Sequence, residues 1–171
     1  MQTQKKSVRI MKKLNSFVER FGVRIKINEE LVIKKGERYF LINNDLESNI
    51  QKNFIYAGTY LGEIKEKEFS PSFILLEMIG RKAKALNGNY AVVNKNSEWL
   101  FICGRDIFRR GIISVSGSRM KGSYTLILNQ YDECLGFGRI LHDNLDRGKK
   151  RDKVMIKNVL DIGDFLRRER Y

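Results

Sequence analysis

Proline occurs once, histidine once, tryptophan once and cysteine twice in 171 residues, and each scarcity excludes something. A lone histidine, His142, with two widely separated cysteines cannot supply the spacing of a zinc site. His142 reads as a surface or packing residue. Cys103 and Cys134 stand in apolar, strand-like surroundings, which fits two buried reduced thiols better than a disulfide or a metal pair. The chain has no Pro- or Ser-rich linker, no internal repeat and no low-complexity stretch. No apolar run approaches the roughly 20 residues of a membrane span. The opening "MQTQKKSVRIMKK" is basic without an apolar run behind it, so no secretory signal is expected there.

Catalytic signatures are missing as well. Neither GxxxxGK[ST] nor GxSxG occurs. The "GFG" of residues 136–138 is too short for a dinucleotide loop and lies inside a strand, where it marks a bulge or close packing. Asp143 and Asp146 share a loop, but beside "RGKKRDK" they read as charge-matched rather than catalytic. The expectation is a non-enzyme with no catalytic residues, no cofactor and no metal.

Positive charge is what the chain has in excess. Lys and Arg number 33 against 20 Asp and Glu, a net charge of +13, with a pI near 9.8. The excess is dispersed over both halves rather than confined to a tail, which favours a polyanionic partner held by phosphate contacts and counterion release. No amphipathic helix rich in Trp and Phe argues for a membrane surface. At 42% hydrophobic residues the chain can bury a real core.

Along the chain, "SVRIMKKLNSFVERF" places Val8, Met11, Val18 and Phe21 on one helical face with Leu14 between them, and Gly22 stops the helix. "VRIKINEELVIKKGERYFLIN" alternates with a period of two around a hairpin turn at "KKGER". Asp45 is expected to cap a short helix reaching Phe54. "IYAGTYLGEI" reads as a strand, "EKEFSPS" as a turn, and Ser70 with Pro71 as a helix start. The helix that follows turns Phe73, Leu76, Ile79 and Ala83 inward and ends at Asn87 and Gly88. Beyond it, "YAVVN", "EWLFIC", "IISVSG", "SYTLILN", "ECLGFGRIL" and "KVMIKNVL" read as six short strands, and "GRDIFRRG" as a short helix. The fold class expected is α+β: an N-terminal antiparallel sheet with packed helices over residues 1–88, then a small barrel over 89–171.

The order "LFICGRDIFRRGIISV", "MKGSYTLILNQYDECLGFGRIL", "NVLDIGDFLRRER" resembles a PUA domain, a small RNA-binding pseudo-barrel. A helix leading to a glycine before a strand, the "KG" strand start at Lys121 and Gly122, and "LGFG" at residues 135–138 carry the likeness. Ser123 departs from it, standing where PUA domains often have Asp. Together with "AGTYLGEIKEKEFSPSFILLEMI", the closing "DIGDFLRRE" is similar to the Nip-seven-type ribosome-biogenesis family, in an archaeal-type version. That resemblance implies an α/β pre-PUA domain ahead of the PUA domain. It also implies a non-catalytic factor of large-subunit assembly or pre-rRNA processing. The implied partners are RNA, pre-rRNA or rRNA in single-stranded or junction regions, and assembly or processing proteins bound through the N-terminal domain. A cytoplasmic monomer is expected, nucleolar in eukaryotic relatives.

Three basic groups compete for the RNA contact. Asp161 is placed to cap a final helix, with Asp164 close behind, and Arg167, Arg168 and Arg170 complement the other end of its dipole. Three arginines are more than the dipole needs, and beside Lys157 they suit a rigid phosphate-gripping strip; the family resemblance implies RNA binding near this helix. Arg109 and Arg110 precede Gly111. In PUA domains the matching glycine lets RNA backbone approach, while a plain helix C-cap is the other reading. "RGKKRDK", with Lys149, Lys150 and Arg151, suits sequence-independent phosphate contact. Tyr124, Tyr131, Phe137 and Trp99 are candidates for base stacking, Tyr131 the best exposed and the others closer to core residues. Lys5, Lys6, Lys12 and Lys13 form a solvated helix face or part of a longer basic surface. The rival functions are an adaptor docking on an acidic protein partner and, disfavoured by the missing catalytic set, an RNA-modifying enzyme.

Overall fold

The structure, a computed structural model, describes residues 2–50, 54–143 and 152–164. Helix α1 spans Gln2–Glu19. Met11, Leu14, Phe17 and Val18 are buried, followed by Phe21 just past the helix, the three-and-four spacing of one apolar stripe. Strands β1, Val32–Lys35, and β2, Arg38–Leu41, form the hairpin read around "KKGER". Helix α2, Asn44–Asn49, is capped not by Asp45 but by Asn43, whose Oδ1 accepts from the Leu46 amide at 2.8 Å. Asp45 stands inside the first turn, where its charge still suits the dipole.

Strand β3, Thr59–Lys65, turns at Glu66 and Lys67 into β4, Glu68–Pro71. Only the first two residues of "EKEFSPS" are therefore turn, because the next four find a full register on β3. With Ser70 and Pro71 extended, the helix start moves to Ser72. Its Oγ accepts from the Leu75 amide at 3.1 Å and donates to the Tyr60 carbonyl at 2.6 Å. Helix α3, Phe73–Leu86, then ends at a left-handed Asn87 as expected. Strands β1 to β4 make an antiparallel sheet in chain order.

The second sheet is built from β5, Tyr90–Val93, β6, Ile107–Phe108, β7, Ile112–Ser116, β8, Tyr124–Leu128, β9, Cys134–Ile140, and β10, Val154–Asp161. Its order is β6-β10-β9-β8-β5-β7, antiparallel except for the parallel β5–β8 pair. The edge strands β6 and β7 are joined by a single 3-10 turn, Arg109–Gly111. Three residues cannot span an open six-stranded sheet, so the sheet curls until its edges meet. This is the pseudo-barrel expected from the sequence.

Two segments differ from expectation. "EWLFIC" belongs to helix α4, Lys95–Ile102, and "GRDIFRRG" supplies β6 and the 3-10 turn rather than a helix. Asn94 decides the first case: its Oδ1 accepts from the Ser97 amide at 3.0 Å, starting a helix that inserts Phe101 into the barrel. Cys103 consequently caps the end of α4 in solvent, whereas Cys134 is buried on β9, so only one of the two thiols is a core residue.

Strands β8 and β9 are a wall between two cores. Ile127 and Leu135 face the barrel interior with Ala91, Phe101 and Ile156. Leu126, Leu128, Cys134 and Phe137 face outward and join Phe17 and Phe21 of the α1 segment, Leu61 of β3 and Leu75 to Ala83 of α3 in one larger cluster. The edge-on rings of Phe17, Phe21 and Phe137 meet with centroids 5.4 to 5.7 Å apart. In β9, Gly136 has φ of +140°, and a Cβ there would lie 2.1 Å from the Leu160 carbonyl oxygen. The β9–β10 ladder shifts register beside it, so "GFG" marks both a bulge and a close approach.

Candidate nucleic-acid interface

The 3-10 turn at the barrel seam holds three of the residues singled out in the sequence: Arg109, Arg110 and Gly111. Asn94 staples it to α4, its Nδ2 donating to the Arg110 carbonyl at 3.1 Å and its own amide to the Gly111 carbonyl at 2.9 Å. The Arg109 amide donates to the Lys153 carbonyl at 2.8 Å, fixing the turn to the start of β10. Gly111 is buried, and a Cβ there would sit 1.9 Å from Ser97 Oγ. It neither ends an α-helix nor opens to solvent; glycine is needed because α4 presses on the turn.

Beside this seam lies a groove of about 670 Å³ lined by Lys95, Trp99, Leu100, Asp106, Phe108 and Arg110 among others. Trp99 is 65% exposed. The Arg110 guanidinium lies 5.6 Å from the Phe108 ring centroid and donates to Asp152 at 2.8 Å. Asp106, the acid of the groove, is occupied: its Oδ1 accepts from the Asn158 amide at 2.8 Å. The groove thus offers an exposed indole, a braced guanidinium and an ammonium side by side, a set able to stack on a base and hold phosphate. The strand reading of "EWLFIC" put Trp99, named as a stacking candidate, closer to the core than it stands. The usable signal was Asn94 three residues ahead of Ser97, with Glu98 in the first turn, the mark of a capped helix.

Lys157 belongs to a different group. It is exposed on β10 in register with Arg139 of β9, which is in register with Tyr124 of β8. At the end of β10 the predicted cap is present: Asp161 is buried, its Oδ1 accepting from the Asp164 amide at 2.9 Å and its Oδ2 from Asn158 Nδ2 at 3.1 Å. Arg167, Arg168 and Arg170 lie outside the described residues, as do Lys149, Lys150 and Arg151. The "KG" strand start, lacking the usual Asp, is held instead by Asp143, which accepts from the Lys121 amide at 2.6 Å, and by a Ser118–Ser123 hydroxyl pair at 2.9 Å. Of the candidate stackers, Tyr131 is 83% exposed while Phe137 is buried.

Residues 2–73 match the profile described as "NIP7/UPF0113, pre-PUA domain", and residues 89–170 that of the "UPF0113 PUA domain". The chain belongs to the NIP7/UPF0113 family. A UPF0113 protein of Archaeoglobus fulgidus is 30% identical over 147 residues, covering 82% of this chain and 79% of that one. A conserved PUA domain protein from Thermoplasma acidophilum superposes with a TM-score of 0.59 at 18% identity, over 94% of both chains. A PUA domain of Aeropyrum pernix K1, solved as a tartrate complex, gives 0.55 at 16% identity over 88% of this chain and 82% of that one. These solved structures share the fold of this NIP7/UPF0113 member.

Proposed function

We propose that this protein binds RNA as a non-catalytic factor of large ribosomal subunit assembly or pre-rRNA processing, with residues 1–88 as pre-PUA domain and 89–171 as PUA domain. Membership of the NIP7/UPF0113 family and the PUA fold support an RNA-related role. The observation that carries the reading is the seam groove, where Trp99, Arg110 and Lys95 line one surface on a rigid corner. Rigidity matters, since a guanidinium already braced by a ring and a carboxylate loses less freedom on gripping phosphate. Single-stranded RNA suits the site, because an unpaired base can reach the indole face.

The test is anisotropy of a fluorescent uridine-rich single strand and a scrambled control across a salt series. A log–log salt slope of several phosphate contacts, at about 0.7 per contact, together with weaker binding by Trp99→Ala and Arg110→Ala, is the expected result. Negligible binding at low salt would overturn the reading and leave the charge excess to an acidic protein partner.

A further inference from the structure

Resting on the RNA reading above, we propose that a second RNA contact runs outside the seam groove, along a basic channel between α1, the β3–β4 hairpin and the outer wall of the barrel. Two depressions, of about 350 and 550 Å³, share Phe17, Arg20, Glu68 and Phe69 and so form one continuous groove. Lys12, Lys13 and Arg20 from the α1 segment and Lys65 and Lys67 from the hairpin line it; Arg139, over the Tyr124 ring of its wall, and Lys157, in register beside Arg139, border it from the barrel row. Against them stand Glu66 and Glu68, and Lys65 is already paired with Glu63. Among the described residues no carboxylate lies within ion-pair distance of Lys12, Arg20, Lys67, Arg139 or Lys157.

Like charges gathered from three elements cost stability unless something anionic offsets them. The two arginines are also held in place. Arg20 and Arg139 lie 5.2 and 5.8 Å from the centroid of the same ring, Tyr124, itself packed at 5.7 Å against Phe137. Arg139 Nε donates to the Gly122 carbonyl at 3.1 Å, which leaves its terminal nitrogens for a ligand. The hairpin is tied to α1 by Lys13 Nζ donating to the Lys67 carbonyl. From Lys12 to its end at Glu19 the helix advances about 10 Å, room for more than one phosphate. Among the described residues Val159 is the one large, strongly exposed apolar side chain in the lining; the rings of Phe17, Phe69, Tyr124 and Phe137 belong to the core behind it and do not project as anchors for a protein partner. The ligand chemistry is therefore a phosphodiester backbone read without base specificity.

The experiment measures binding of a uridine-rich single strand of about 20 nucleotides to the full chain, with the salt series repeated for Arg20→Gln/Arg139→Gln and for Arg110→Ala. Removing two phosphate contacts should lower the log–log slope by about 1.4 and weaken binding roughly tenfold at low salt, equally for all sequences. Both side chains are exposed, so the fold should survive. Should thermal melting show otherwise, Lys12→Gln/Lys67→Gln carries the same test away from the Tyr124 ring. An Arg20/Arg139 variant that binds like wild type, while Arg110→Ala is impaired, overturns the channel alone. A wild type that binds no RNA at about 50 mM salt overturns the parent reading.

Discussion

The side-chain amide of Asn89 donates to the main-chain carbonyl of Arg20 at 3.0 Å, joining the end of the α1 segment to the first strand of the barrel. The same buried residue accepts from the Ser118 amide at 2.8 Å, and its backbone groups bond to Phe21 and Leu126. One asparagine thus ties three chain segments that meet nowhere else in sequence. Asn89→Ala leaves an amide and a carbonyl without their partner in a nearly dry site, an expected loss of about 2 kcal/mol. Urea unfolding would read it, with Asn89→Asp falling between, since it keeps the acceptor for Ser118.

Gly111→Ala puts a methyl where Ser97 Oγ lies 1.9 Å away. Displacement of α4 from the turn should cost about 1–3 kcal/mol. Combining it with Ser97→Ala removes the nearest atom but not Ser97 Cβ, at 2.7 Å, so recovery is partial. A double-mutant cycle by thermal unfolding gives the coupling.

Arg110→Ala breaks an exposed ion pair with Asp152 and should change stability by less than about 0.5 kcal/mol. Its RNA affinity should fall several-fold over the same salt range. Calorimetry and anisotropy on one preparation separate the two effects.

Burial pushes the Cys134 thiol up to about 12 from an ordinary value near 9. The folded state therefore holds this proton more tightly than the unfolded one. Stability is fully present below about pH 9 and is lost as pH rises toward 12, by at most about 1.4 kcal/mol per pH unit. Burial pushes Tyr60 in the same direction, also to about 12 from near 10. At pH 8 iodoacetamide should modify one thiol per folded chain, the exposed Cys103, and two after denaturation.

Periodicity and punctuation made most of the fold legible. The α1 stripe, the "KKGER" hairpin, the Asn87 stop and five of the six barrel strands follow from side-chain spacing and from residues with strong backbone preferences. The misread segments share a cause. "EWLFIC" is apolar along its whole length, so pattern alone cannot separate a strand from a short helix, and a single capping side chain at Asn94 decided it. Ser70 and Ser72 are both competent caps, and the choice fell to β-pairing with a strand several residues upstream. For the site, Arg109 to Gly111 stood out by composition. The channel's partners did not, because Arg20, Tyr124 and Arg139 meet only once α1 is laid across the barrel.

Because β8 and β9 serve a core on each face, the barrel is not a portable part. Residues 89–171 produced alone would present Leu126, Leu128, Cys134 and Phe137 to water as a contiguous sticky face. Any protein borrowing this barrel must bring its own lining for that wall. Selection on the outward positions of β8 and β9 therefore acts through the N-terminal segment, and changes on the two sides should be inherited as compensating pairs.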